Sequence, residues 1–326
     1  MKGGVKVVGV LAGLAALAVA LAAAGTAATP KAPYDYGKLR GTITADGSST
    51  VGPFTTAAAE LFRRAGARNV RITVGISGTG GGFERFCRGE IDLSDASRPM
   101  KVSEAQTCKE NNVGSWRAFT VANDALTVVV NKSNTWATCL TPAELKKVWE
   151  PGSKVDSWND IRPSFPNEPL KLFGPGTDSG TFDYFTEVIN GKSRASRSDY
   201  SASEDDNVLV QGVAGEKGAM GYFGFSYFEE NADKLKALQV QNKAGQCVAP
   251  SVAAAQNGTY NPLARPLFIY AKGSSFRRTE VQAFLDYMFR NATVIAKRAA
   301  YVPLTAKQLR KARINFQLAV KAAQRS

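Results

Sequence analysis

The sequence predicts an α/β fold, and three observations carry the prediction. Short β-branched and apolar stretches alternate with segments whose apolar residues recur at helical spacing. Loops rich in Ser, Thr and Gly sit where a strand hands over to a helix, the place at which α/β proteins bind ligands. The chain has 326 residues, 44% of them hydrophobic, enough for a sizeable core and two domains.

The N-terminus reads as an export signal over residues 1–28. Lys2 and Lys6 precede an apolar run from Val7 to Ala24, followed by small residues around Gly25 to Ala28. The run is about 18 residues, close to a membrane span, so an uncleaved anchor is the second reading. Residues 29–37 form a Pro- and Ala-rich linker. Lys38 to Thr44 then reads as a strand, Gly47 to Pro53 as a loop, and the segment with Ala57, Ala58, Leu61 and Phe62 as an amphipathic helix. Val70 to Val74 is strand-like. Ser77 to Gly82 is a second loop, followed by a short helix with Phe83, Phe86 and Cys87 on one face. Ile91 to Leu93 is a strand leading into Ser94 to Pro99.

Further on, Ala125 to Asn131 is a strongly apolar strand. Thr141 and Pro142 open a helix, as N-cap and first helical residue. Leu170 to Phe173 is a strand that feeds Gly174-Pro-Gly-Thr-Asp-Ser-Gly-Thr-Phe182. A helix is expected from Ser179, because Phe182, Phe185 and Ile189 recur at its spacing. Val208 to Val213 is a short helix after the acidic loop Glu204 to Asn207. Ala219 to Phe225 and Leu267 to Ala271 are strands, and Thr279 to Ala299 is one long helix. The aromatic cluster Tyr222, Phe223, Phe225, Tyr227 and Phe228 reads as strand core, and Trp149 and Trp158 as packing residues.

Composition excludes several functions. The chain has no histidine, which removes Ser-His-Asp and Cys-His catalysis and most zinc chemistry. Formal net charge is +13, and a basic surface draws anions. The charge is spread along the chain, with no dense block except the tail after Lys307, so it reads as solvated surface and not as a nucleic-acid interface. The four cysteines, Cys87, Cys108, Cys139 and Cys247, suggest two disulfides in an exported chain. Of the three pairings we favour Cys87–Cys108 with Cys139–Cys247, which keeps the first bridge local.

Three hydroxyl and glycine loops each precede a helix: Ser48-Ser49-Thr50, Ser77-Gly78-Thr79-Gly80 and Ser179-Gly180-Thr181. A helix start has unpartnered amides and the positive end of the macrodipole, so it suits an anion. Together the loops would surround a small tetrahedral anion with neutral donors. Phosphate-loop spellings fail: the glycine required before Gly191-Lys192-Ser193 is Thr186, and the last glycine of G-x-G-x-x-G is Phe83. Arg98 is the best-placed cation, since its planar fork can grip two oxygens; the plainer reading is a salt bridge. Asp178 either caps the helix at Ser179 or accepts the proton of a protonated phosphate, with Asp46, Asp95, Asp124, Asp205 and Asp206 as competitors.

These residues resemble the PstS-like phosphate-binding proteins of bacterial phosphate ABC transporters. The carriers are Asp46 to Val51, Ser77 to Phe83, Asp92 to Pro99, Gly174 to Phe182 and Glu204 to Val210, in that order, over nearly all of the chain after the signal. The resemblance implies a two-lobed type II periplasmic-binding-protein fold with the anion in the interlobe cleft. Lobe I would be residues 38–124 and 263–326, and lobe II residues 125–262. By motif position, Ser49, Thr50 and the Val51 amide match the first phosphate loop, Thr79 the second, and Ser179, the Gly180 amide and Thr181 the helix start. Ser97 stands where well-known members carry an acceptor Asp, and Pro175 where they carry an Arg. The resemblance then implies a rearranged charge pattern, with Arg98 supplying the guanidinium and another Asp taking the proton. It implies a monomeric, non-catalytic receptor without cofactor or metal that delivers inorganic phosphate to a membrane permease. The alternatives are a secreted phosphate-ester hydrolase and a binder of another oxyanion such as sulfate.

Overall fold

A computed structural model of the chain describes Met1 and residues 33–325. The expected export signal and the first part of the linker lie outside the described residues. The elements fall in one unit, Asp35–Ser326.

The chain opens with three strand–helix units: β1 (Gly41–Gly47) and α1 (Gly52–Arg64), β2 (Val70–Val74) and α2 (Gly78–Cys87), β3 (Leu93–Ala96) and α3 (Val102–Glu110). A long strand, β4 (Trp116–Asn131), leads to β5 (Cys139–Leu140), α4 (Pro142–Trp149) and α5 (Trp158–Ile161). Next come β6 (Lys171–Pro175), α6 (Gly180–Phe185), β7 (Ser201–Ser203), α7 (Asp206–Gly215), β8 (Ala219–Gly224) and α8 (Phe225–Glu230). The short β9 (Leu235–Ala237), β10 (Gln239–Gln241), β11 (Cys247–Val248) and α9 (Val252–Asn257) precede β12 (Ala264–Lys272). Three helices follow: α10 (Thr279–Arg290), α11 (Ala292–Arg298) and α12 (Ala306–Arg325).

The main sheet runs β2-β1-β3-β12-β4-β8-β6-β7, with β9 also on β4. β1 is parallel to β2 and β3, as strand–helix–strand crossovers require. β4 joins the two halves. Its residues from Trp116 to Ala125 pair with β12, and those from Leu126 to Val130 pair with β8. Every residue of β4 from Val121 to Asn131 is buried, which is why Ala125 to Val130 is an apolar, β-branched stretch interrupted only by Thr127.

Local chemistry sets several boundaries. Thr141 caps α4 by accepting from Glu144 N at 3.1 Å, while Glu144 accepts from Thr141 N at 2.8 Å, a reciprocal capping box with Pro142 in the first turn. The expected Thr279 to Ala299 helix is broken at Asn291 (φ −112°, ψ 14°), giving α10 and α11. The basic tail is a 20-residue helix, α12, for which the charge pattern alone gives no element. Trp149, Trp158, Tyr222 and Phe223 are wholly buried, and Tyr222 stacks on Phe185 with centroids 3.8 Å apart, so this aromatic cluster is core. Cys87 bonds to Cys108 and Cys139 to Cys247.

Candidate functional site

The carboxyl ends of β1, β2 and β3 lie side by side, Ala45 opposite Val74 and Gly47 opposite Asp95. Three loops therefore leave the sheet at one edge. Gly47 turns the first at φ 141°, where a Cβ would fall 2.2 Å from the Asp95 carbonyl oxygen, so no other residue fits. Ser48 N then donates to that carbonyl at 2.9 Å, and Thr50 N to Ser48 Oγ at 3.2 Å. Asp46 ties the first loop to the second: its Oδ1 accepts from Gly47 N at 2.7 Å and from Ser77 N at 2.9 Å, and its Oδ2 pairs with Arg85. Burial pushes the Asp46 carboxyl up, but the bonds from Ser77, Arg85 and Gly47 outweigh it and hold it below the usual range. Thr79 and Ser97 meet between the second and third loops, with hydroxyls 3.1 Å apart and Ser97 N donating to Thr79 Oγ1 at 3.2 Å.

On the other side of the molecule, β6 ends at Pro175 and the chain enters α6. Ser179 is its N-cap, accepting from Thr181 N at 3.1 Å. This helix start packs directly on the first loop. Thr50 Oγ1 donates to the Gly180 carbonyl at 3.2 Å, and Ser49 Oγ donates to Asp183 Oδ2 at 3.0 Å. Gly180 is needed here for space: a Cβ would lie 2.8 Å from Thr50 N.

Two cations reach this junction among the described residues: the exposed Arg194, whose Nη1 lies 3.8 Å from Asp183 Oδ1, and the largely buried Arg265. Arg265 lies on β12 opposite Asp124 of β4, where the two halves of the sheet join. Arg265 Nη2 donates to Thr50 Oγ1 at 2.9 Å, Nε is 3.5 Å from Asp124 Oδ2, and Nη1 is 3.9 Å from Glu187. Its guanidinium lies 3.4 Å from the centroid of the Tyr184 ring, and the side chain is only 12% exposed. Burial pushes the Asp124 carboxyl up, against the pull of Arg265. Tyr301 donates to the Thr50 carbonyl from the chain after α11. Thr50 thus touches residues 130, 215 and 251 positions away.

Among the sequence candidates, Ser49 and Thr50 are brought against Gly180 at the start of α6, next to Ser179 and Thr181, while the Val51 amide donates to the Ser48 carbonyl at 3.1 Å. Thr79 and Ser97 pair with each other at the neighbouring strand ends. Arg98 is corrected: Glu104 holds its fork with two bonds, at 2.7 and 2.9 Å, and the guanidinium lies over Phe83, so the salt-bridge reading applies. Asp178 is not the cap of α6, a role Ser179 fills; its side chain is exposed, and its amide donates to Glu204 at 3.2 Å. Asp205 caps α7, accepting from Asn207 N at 2.9 Å. Burial, with Asp205 and Glu204 beside it, pushes Asp206 up to about 6. The sequence reading missed Arg265 and Asp183. The signal for Arg265 was a lone cation in Leu263-Ala-Arg-Pro-Leu267, inside a run that becomes buried strand.

Residues 32–292 match the model of the PBP superfamily domain. The chain is 50% identical over 270 residues to Protein SphX of Synechococcus elongatus, spanning 82% of this chain and 79% of the relative. It is 35% identical over 276 residues to the phosphate-binding protein PstS of Staphylococcus saprophyticus, spanning 84% and 83%. The crystal structure of a possible phosphate binding protein from Planctomyces limnophilus superposes with a TM-score of 0.83 at 46% identity, covering 86% of this chain and 99% of that one. The class is therefore the two-lobed binding-protein fold, with the loops described above facing each other across the two halves of the sheet. Within the PBP superfamily, the chain belongs to the family of PstS and SphX proteins.

Proposed function

We propose that the chain is an exported receptor that captures inorganic phosphate between its two halves and passes it to a membrane ABC permease. The observation that carries this reading is the junction at Thr50. A loop from one half, a helix start from the other and a buried guanidinium from the joining strand meet on one hydroxyl. Lobe I then comprises residues 38–124 and 263–326, and lobe II residues 125–262. β4 and β12 are the crossing strands about which the halves open and close.

The proposed ligand set is Ser49, Thr50, the Val51 amide, Thr79, Ser97, Ser179, the Gly180 amide and Thr181, with Arg265 in place of Arg98 as the cation. Oriented amides and hydroxyls hold the oxyanion in a cleft shielded from water, where each dipole counts for more. Asp183 takes the acceptor role in place of Asp178. One of its oxygens accepts from Ser49, and the other, buried with no hydrogen-bond partner among the described residues, lies 3.8 Å from Arg194 Nη1. A carboxylate there favours an anion that still carries a proton to donate, and so favours phosphate over sulfate.

The receptor is read as monomeric and as non-catalytic; the absence of histidine, which leaves Ser49 without the usual base, supports the second reading. Export through the N-terminal segment would place it outside the cytoplasmic membrane. Among the described residues, no helix is long and apolar enough to cross a membrane. Isothermal titration with phosphate, sulfate and arsenate tests the reading. Saturable one-to-one phosphate binding with weaker sulfate binding is expected, and absence of phosphate binding overturns it.

A further inference from the structure

The 20 residues of α12 carry six cations (Lys307, Arg310, Lys311, Arg313, Lys321 and Arg325) and no carboxylate. Its inner face is apolar and fixed: Ala312, Phe316 and Ala319 are buried, and Phe316 packs on Phe289 with centroids 5.6 Å apart. The outward face is of a different kind. At 100° per residue, Lys307, Arg310, Lys311, Ile314, Leu318, Lys321 and Arg325 share one side, and all of them are exposed or, for the two aliphatic residues, 49% and 59% exposed. Two large aliphatic side chains thus stand in the middle of a face whose other members are cations. A solvated face gains nothing from Ile and Leu at its centre. A surface that is negatively charged outside and apolar a few ångströms deeper matches both components.

A second feature borders the same helix. A cavity of about 400 Å³ lies beside it, lined by Phe276, Ala319 and Ala322 as apolar wall and by Ser115, Arg117 and Arg277 as polar lining. Apolar wall, hydroxyl and guanidinium together suit the head and upper chain of an anionic phospholipid.

We propose that α12 docks this protein on anionic membrane surface, with its cations on lipid phosphates and Ile314 and Leu318 inserted between headgroups. The inference is independent of the phosphate site, since it uses none of those residues.

All four native cysteines are in disulfides, so Gln317→Cys gives a single labelling site on the exposed face of α12 in the full chain. An environment-sensitive fluorophore at that position reports on the helix alone, whatever the N-terminal segment does. With phosphatidylcholine vesicles containing phosphatidylglycerol, the emission should shift to the blue, be quenched by brominated acyl chains and return in high salt. Lys311→Glu with Lys321→Glu should weaken that response about tenfold or more, and Ile314→Ser with Leu318→Ser should remove the quenching. Circular dichroism that matches the parent would show that the variants are folded. Unchanged emission on the anionic vesicles would overturn the proposal in favour of a protein partner for this face. An equal shift on pure phosphatidylcholine, or a charge-reversed variant that responds like the parent, would overturn it as well.

Discussion

Arg265 donates to the hydroxyl of Thr50 at 2.9 Å, and the same hydroxyl donates onward to the Gly180 carbonyl at 3.2 Å. A residue of the joining strand, a loop of one half and a helix start of the other are therefore linked through a single oxygen. Arg265 is the only one of these groups with a formal charge, and its side chain is largely withdrawn from water, so in the proposed site it would make the largest electrostatic difference to a captured anion.

Replacing Arg265 by Gln should weaken phosphate binding about 10- to 100-fold, on the order of 1.5–3 kcal/mol for a lost charge-assisted bond. Arg98→Gln should leave the affinity within about twofold, because Glu104 already occupies that fork. Titration calorimetry on the two variants separates the cations. Equal losses would mean that Arg98 leaves Glu104 for the ligand.

Gly180→Ala should block closure. The added methyl would lie 2.8 Å from Thr50 N and 2.9 Å from Thr50 Cα, both backbone atoms that cannot turn aside. The variant should fold normally, since the methyl faces the opposite loop and not the core. Its phosphate affinity should fall by an order of magnitude or more, and small-angle scattering should show a less compact particle with ligand than the parent gives.

Asp183→Asn should narrow the gap between phosphate and sulfate. Asn keeps an acceptor for Ser49 Oγ at the 3.0 Å position but removes the negative charge that disfavours a fully deprotonated anion. Phosphate should bind more weakly and sulfate more tightly than in the parent, as read by competition titration. A drop for both anions in equal proportion would assign Asp183 to closure alone.

Much of this site was legible in the sequence because its parts are local. Ser179, Gly180 and Thr181 announce a helix start by residue type, and the Thr141-Pro-Ala-Glu144 cap is spelled in four letters. Arg265 was not legible, because its meaning comes from Thr50, Asp124 and Glu187, which only the fold brings near. Arg98 misled for the same reason in reverse. Glu104, six residues on, takes its guanidinium, and nothing in the loop spelling says so. The tail hid its helix behind its charge. Ala312, Phe316 and Ala319 recur at helical spacing, but three residues, two of them alanines, among six cations make a faint stripe.

Removing the Cys139–Cys247 bridge should cost more stability than removing Cys87–Cys108. The first closes a separation of 108 residues and the second one of 21. In the chain-entropy account the longer loop contributes about 4–5 kcal/mol and the shorter about 3. Paired Ser substitutions followed by urea denaturation test the order, and the reverse order would show that local packing outweighs loop length.

Stability should fall as pH rises from about 4 to about 7, with Asp95 the larger contributor and Asp206, pushed up to about 6, the smaller. The Asp95 side chain is wholly buried, Thr55 Oγ1 donates to Oδ1 at 2.9 Å, and Oδ2 has no hydrogen-bond partner among the described residues. Burial, with the charge of Asp46 nearby, pushes its carboxyl up to about 7 despite the Thr55 bond. In the unfolded chain the same carboxyl ionises near 3.8. Between those values the unfolded chain has released a proton that the folded chain retains, so each pH unit favours unfolding by roughly 1.4 kcal/mol. The loss is complete once the folded group also ionises. Asp95→Asn keeps the acceptor for Thr55 and cannot ionise, so the variant should match the parent near pH 4 and exceed it at pH 8. Denaturant midpoints measured across that range check the sign: a variant that loses stability with pH as steeply as the parent would place the titrating group elsewhere.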